Sequence, residues 1–163
     1  SPSFWNRPMK LHRPSLIKAA LVLAALVVLS PAAFAKTFAV AIEGNDQMKF
    51  NLPTIKLAAD CTQVTVTLKH TGKMAANVMG HNWVLTKTAD VKPVAMAGMK
   101  APVADSHLPK GDARVIAATK IIGGGQSTSV TFSTSKPTKG GDYSFLCSFP
   151  GHFGLMKGKL TFG

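Results

Sequence analysis

Gln63-Val64-Thr65-Val66-Thr67-Leu68-Lys69-His70 sets apolar Val64, Val66 and Leu68 against polar neighbours, which is the period-two pattern of a half-buried strand. Side chains alternate between the two faces of a strand, so one face of this stretch is committed to a core. Similar segments recur on both sides of it. Upstream, residues 37–42 alternate and run into the turn signal Gly44-Asn45-Asp46. Residues 49–57 are interrupted by Pro53, which suits an edge strand or paired short strands. Downstream, Gly72 and Lys73 turn the chain, and residues 83–86 predict a strand directly after Gly80-His81-Asn82. Residues 114–121 predict another, Gly123-Gly124-Gly125 a turn, and Thr128, Val130 and Phe132 alternate with Ser and Thr. Residues 142–147 and 158–162 supply the last strands, after a turn at 137–141. Only residues 88–111 lose the period. Pro93, Pro102 and Pro109 make that stretch a loop or short helix outside the sheets. About eight short strands without a sustained helical period predict an all-β, antiparallel Greek-key β-sandwich.

The first 35 residues belong to a different class. Arg7, Lys10, Arg13 and Lys18 precede an unbroken apolar run of 11 residues, 19–29, and then Ser30-Pro31 and the small-residue pattern Ala33-Phe34-Ala35. Basic, apolar and small-residue regions in that order predict a secretory signal peptide cleaved after Ala35. Met9 is then the start, with residues 1–8 an upstream extension. The apolar run falls short of the ~20 residues a spanning helix needs, so a retained membrane anchor is the weaker alternative. Residues 36–163 remain as one exported mature domain. Four of the 19 basic residues lie in the leader, which leaves 15 against 7 acidic residues, a mature net charge of +8. The lysines are scattered singly and only Arg114 survives among the arginines, which argues against nucleic acid and for steering of acidic partners or surfaces.

Chemistry concentrates in Cys147-Ser148-Phe149-Pro150-Gly151-His152-Phe153-Gly154-Leu155-Met156. A thiolate, an imidazole and a thioether spaced Cys-x4-His-x3-Met form the donor set of a blue-copper electron-transfer site, once a second histidine joins them. Of His70, His81 and His107, the best placed is His81, behind Gly80 and ahead of a strand holding Trp83. His70 reads as readily as a partly buried structural histidine, and His107 as a surface one. Zinc would have no need of Met156. Four mature histidines are too few for a multicopper enzyme. A copper storage or delivery protein is the alternative, but it favours a flexible Met- or His-rich tract. Cys61 is left as a buried free thiol, a dimer-forming cysteine or the orphan of a lost disulfide.

The chain resembles the azurin family of small bacterial blue-copper proteins. The resemblance rests on residues 43–48, on Asn77-Val78-Met79-Gly80-His81-Asn82-Trp83, on Arg114-Val115-Ile116-Ala117 and on the 147–152 loop with Leu155-Met156-Lys157-Gly158. It implies a cupredoxin-like sandwich and one type 1 copper, bound in a plane by His81, Cys147 and His152. Met156 is implied as a long axial ligand and the Gly80 carbonyl as a weak contact. Asn82 is implied to stiffen the ligand loops, and the N–H groups of Asn82 and Phe149 to lie near the Cys147 sulfur. His70 matches a titrating histidine beside the site.

Met48, Met74, Val78, Met79, Met99, Phe149, Gly151, Gly154 and Leu155 match an apolar patch for docking redox proteins such as c-type cytochromes or periplasmic reductases and dehydrogenases. Met96 is left as a filler of core gaps. The implied function is a periplasmic one-electron carrier, not an enzyme, meeting a membrane only if the leader stays attached. Two departures stand out. Phe38 occupies the place of the cysteine that pairs with the one matching Cys61, which removes a cross-link worth roughly 3 kcal/mol. Phe153 replaces a small residue beside His152, and enlarges the docking patch or shields the ligand.

Overall fold

The computed structural model describes residues 34–163. Residues 1–33 of the proposed leader lie outside the described residues. Among the described residues eight strands form two sheets: β1 (Thr37–Gly44), β2 (Thr54–Leu57), β3 (Gln63–His70), β4 (Val84–Lys87), β5 (Ala117–Ala118), β6 (Ser127–Ser133), β7 (Tyr143–Leu146) and β8 (Lys157–Phe162). One sheet has the order β1-β3-β6 and the other β2-β8-β7-β4-β5. Short helices α1 (Ala76–Met79) and α2 (Val91–Gly98) lie between strands.

The sandwich agrees with the alternating pattern, but it is not wholly antiparallel. β1 runs parallel to β3, and β2 parallel to β8. The chain leaves β1, crosses to the second sheet as β2 and returns as β3, and such a crossover brings the returning strand back in the same direction. Pro53 stands just before β2, an edge strand, where a missing N–H is tolerated.

On β3 the inward face is Val64, Val66, Leu68 and finally His70, all buried. His70 is therefore the last member of the apolar stripe. The main core gathers Val64, Val66 and Leu68 with Ile42, Trp83, Leu85, Phe145 and Leu160. Trp83 lies between Phe132 and Phe145, with ring centroids 6.0 and 5.9 Å away. A second cluster of Val84, Val91, Ala95 and Leu146 covers the opposite side of β4 and β7. With both faces covered, β7 is buried at every position, as a central strand must be.

Two local expectations change, the strand over 114–121 and Met96 as a filler of the core. The stretch 114–121 contributes only the two-residue β5, because Asp112 caps Arg114 through its carboxylate and holds that segment in a turn. The aperiodic stretch 88–111 contains α2, whose Val91, Val94 and Ala95 are buried while Met96 is exposed, so Met96 does not fill the core. The single turn α1 has no buried residue and left no periodic signal. Cys61 is a buried free thiol donating to the Gln63 carbonyl at 3.2 Å. Phe38 packs half-buried against the cluster that holds it.

Candidate metal centre

The 147–156 loop begins where β7 ends and is tied shut by its own backbone. The Cys147 N–H donates to the Met156 carbonyl at 3.0 Å, Met156 N–H to His152 at 2.8 Å, and His152 N–H to Phe149 at 3.0 Å. Gly151 takes φ +84°, a turn conformation that a side chain disfavours. His81 reaches the same place from the other side. It follows Gly80, whose α-carbon has no room for a side chain against the Ala76 carbonyl, and it is clamped to Ile122 by paired backbone bonds of 3.0 and 2.9 Å.

These two supports bring three buried donors together. Cys147 Sγ lies 3.9 Å from His81 Nδ1 and 3.6 Å from His152 Nδ1. All three donor atoms fall within 4.8 Å of one another. The Gly80 carbonyl is 3.8 Å from the sulfur. Met156 is buried too, and a β-carbon built on Gly44 stands 3.2 Å from its methyl and 2.9 Å from the His81 ring. The thioether and that imidazole therefore share one pocket wall.

The protonation states fit a soft metal ion. His81 Nε2–H donates to the Asn45 carbonyl at 2.7 Å, which leaves Nδ1 as a bare lone pair facing the sulfur. Burial lowers the His81 pKa and brings that of His152 down to about 4. Burial also pushes the Cys147 thiol up to about 11, opposed by N–H groups of Asn82 and Phe149. A thiolate here needs a cation beside it, while both imidazoles already stand neutral, as ligands must.

A pH dependence follows for the metal-free protein. The unfolded chain protonates these histidines near 6.5, but the fold resists protonation of His152 until about 4. Between those values the unfolded state binds more protons, so stability falls as pH drops through that window and levels off below it. Denaturant midpoints from pH 7 to pH 4 check this. A midpoint that rises on acidification contradicts it.

Other side chains hold the two loops against each other. Asn82 accepts from the Ser148 N–H at 2.8 Å and donates to Ser148 Oγ at 2.8 Å and to the Ser106 carbonyl at 3.0 Å. Asn45, Ser106 and Ser148 were missed from sequence. Asn45 acts through a carbonyl every residue carries, and the serines bond across long sequence separations. His70 stacks on His81 at 4.3 Å and 17°. Its Nε2 donates to the Met79 carbonyl at 2.8 Å, and its Nδ1 accepts from the Gly72 N–H at 3.0 Å. Phe149 tilts over His152 at 4.5 Å. His107 is not a bare surface residue: it is half-buried, edge-on to Phe149.

The surface residues divide. Met74, Val78, Met99 and Leu155 are exposed, Leu155 at 67%, and Gly151 and Gly154 are exposed as well. Met48, Met79 and Phe149 are half-buried, Met48 with φ 55°. Phe153 packs against the Val84, Val91, Ala95 and Leu146 cluster and lines a cleft of about 590 Å³ beside Lys92 and Lys157. Its added bulk thus extends the second core cluster.

The description "Copper binding proteins, plastocyanin/azurin family" matches residues 36–163. The chain belongs to the plastocyanin/azurin family of copper-binding proteins. It is 51% identical over 138 residues to the azurin of Bordetella pertussis, covering 85% of this chain and 92% of that one. To azurin-1 of Alcaligenes xylosoxydans xylosoxydans it is 56% identical over 119 residues, 73% of this chain and 92% of the other. The solved azurin Az-iso2 of the methylotroph Methylomonas sp. strain J aligns with TM-score 0.74 and 42% identity, over 77% of this chain and 97% of that one. Membership and the clustered donors make this chain a blue-copper electron carrier with one copper as its cofactor.

Proposed function

We propose that His81, Cys147 and His152 are the copper ligands, with the Met156 thioether as a weaker donor and the Gly80 carbonyl as a weak contact. The observation that carries this is the meeting of two neutral imidazoles and a buried thiol within 4.8 Å. Bound there, copper supplies one-electron chemistry by alternating between Cu(I) and Cu(II). The chain's own part is to keep the donors still. The Asn82 side chain and the bonds within the 147–156 loop limit how far either loop shifts, and the N–H groups of Asn82 and Phe149 draw charge from the sulfur.

The protein acts as a carrier and transforms no substrate. Met48, Met74, Val78, Met79, Met99, Phe149, Gly151, Gly154 and Leu155 form its docking patch, and an exposed apolar patch is where a partner excludes water. The partners are redox proteins, c-type cytochromes or periplasmic reductases and dehydrogenases. Residues 1–35 serve as the export signal and residues 36–163 as the periplasmic domain. Among the described residues no helix is long and apolar enough to cross a membrane. A storage role is disfavoured, because the donors are held on two tied loops instead of a flexible tract.

Two variants test the reading in one experiment. Met156→Leu should keep copper and raise the reduction potential, because a donor to Cu(II) is lost. Leu155→Glu should leave the potential near its original value and slow electron self-exchange about tenfold or more, since a charge must then be desolvated at the contact. An unmoved potential in the first excludes Met156 as a ligand. An unchanged exchange rate in the second places docking elsewhere.

A further inference from the structure

We propose that His107 is a positioning residue for this centre, its ring setting the tilt of Phe149 over His152. The inference rests on the ligand assignment above. It starts from the backbone. Ser106 and His107 have φ of 58° and 48°, two successive non-glycine residues in the left-handed region. L-residues occupy that region only where the surroundings over-determine it.

Here the surroundings do. The Ser106 carbonyl accepts from Asn82 Nδ2 at 3.0 Å and from Ser148 Oγ at 3.1 Å, and Ser106 Oγ accepts from the Ile121 N–H at 3.0 Å. His107 Nδ1–H donates to the Ala101 carbonyl at 2.8 Å, and the His107 carbonyl occupies the space where Gly98 lacks a side chain. The segment that pins Asn82 and Ser148 thus also aims the next side chain.

That side chain meets Phe149 edge-on, with ring centroids 5.3 Å apart at 80°. Phe149 in turn lies 4.5 Å from His152 at 36°. Edge-to-face contacts fix the relative orientation of two rings. Phe149 also supplies one of the two N–H groups that oppose the rise of the Cys147 thiol. His107 touches no donor atom itself. Through Phe149 it governs both the ring over one ligand and a hydrogen bond to another. A merely supporting residue would affect stability and nothing else.

The test compares His107→Asn, which removes the ring while tolerating the left-handed backbone, with His107→Phe, which keeps a ring edge. In metal-free protein, alkylation of Cys147 by iodoacetamide should run about tenfold faster in the Asn variant, as a loop contact that closes the site is lost, and near the original rate in the Phe variant. In copper-loaded protein the thiolate absorption band and the reduction potential should shift in the Asn variant and return in the Phe variant. The proposal is overturned if His107→Asn lowers only the melting temperature, or if His107→Phe fails to restore what Asn removes. Failure of the wild-type chain to bind copper overturns the ligand assignment instead, and the alkylation comparison still decides the role of His107.

Discussion

Cys147→Ser should abolish the intense blue absorption of the copper-loaded protein altogether. That absorption is charge transfer from a thiolate, and a hydroxyl oxygen is too hard a donor to replace it. Cys147 is the only plausible source, because Cys61 lies in the main core with its thiol on the Gln63 carbonyl. The two imidazoles remain in the variant, so residual colourless copper binding is compatible with the account. In the metal-free state Cys147→Ser should be close to neutral for stability, since the thiol's contacts with the Gly80 carbonyl and both imidazoles are long, 3.6 to 3.9 Å, and a hydroxyl still accepts from the Asn82 and Phe149 N–H groups. Optical titration beside thermal melts checks both parts. A surviving blue band contradicts the assignment of the sulfur.

Asn82→Leu should be the most destabilising substitution around the site in metal-free protein. It orphans the buried Ser148 N–H and removes a second bond to Ser148 and one to the Ser106 carbonyl. One unsatisfied buried donor with lost partners costs about 3 kcal/mol, roughly 10 °C in melting temperature for a domain of this size. The side chain is fully buried, so water does not enter to replace it. Calorimetry of the apoprotein measures this directly. A drop of under about 1 kcal/mol would mean that the loops are held elsewhere.

The β-sandwich was legible because alternation records one buried face per strand, as on β3. It failed where burial has two sides or none. β7 is buried throughout because α2 and the 88–118 region cover its outer face, and the parallel pairing of β1 with β3 depends on where the chain goes between them. Neither is written in a local period. At the site, Cys147, His152 and Met156 share one short loop and could be read as a group. His81 was reached through its position after Gly80 and ahead of Trp83. The residues that hold these four were not visible in the same way. Ser106, Ser148 and Asn45 act across separations of 24 to 66 positions, through hydroxyls and carbonyls common to any chain. His107 reads as surface because it sits between Ser106 and Leu108 in an aperiodic stretch, whereas its ring is placed by a backbone conformation that no sequence period reports.

The measurement that bears most directly on the whole account is titration of the purified 36–163 domain with copper(II), followed by absorption. One equivalent per chain should saturate an intense blue thiolate band, and a one-electron reductant should bleach it reversibly. Binding without that band, or a band that keeps growing beyond one equivalent, would contradict a single centre built on His81, Cys147 and His152.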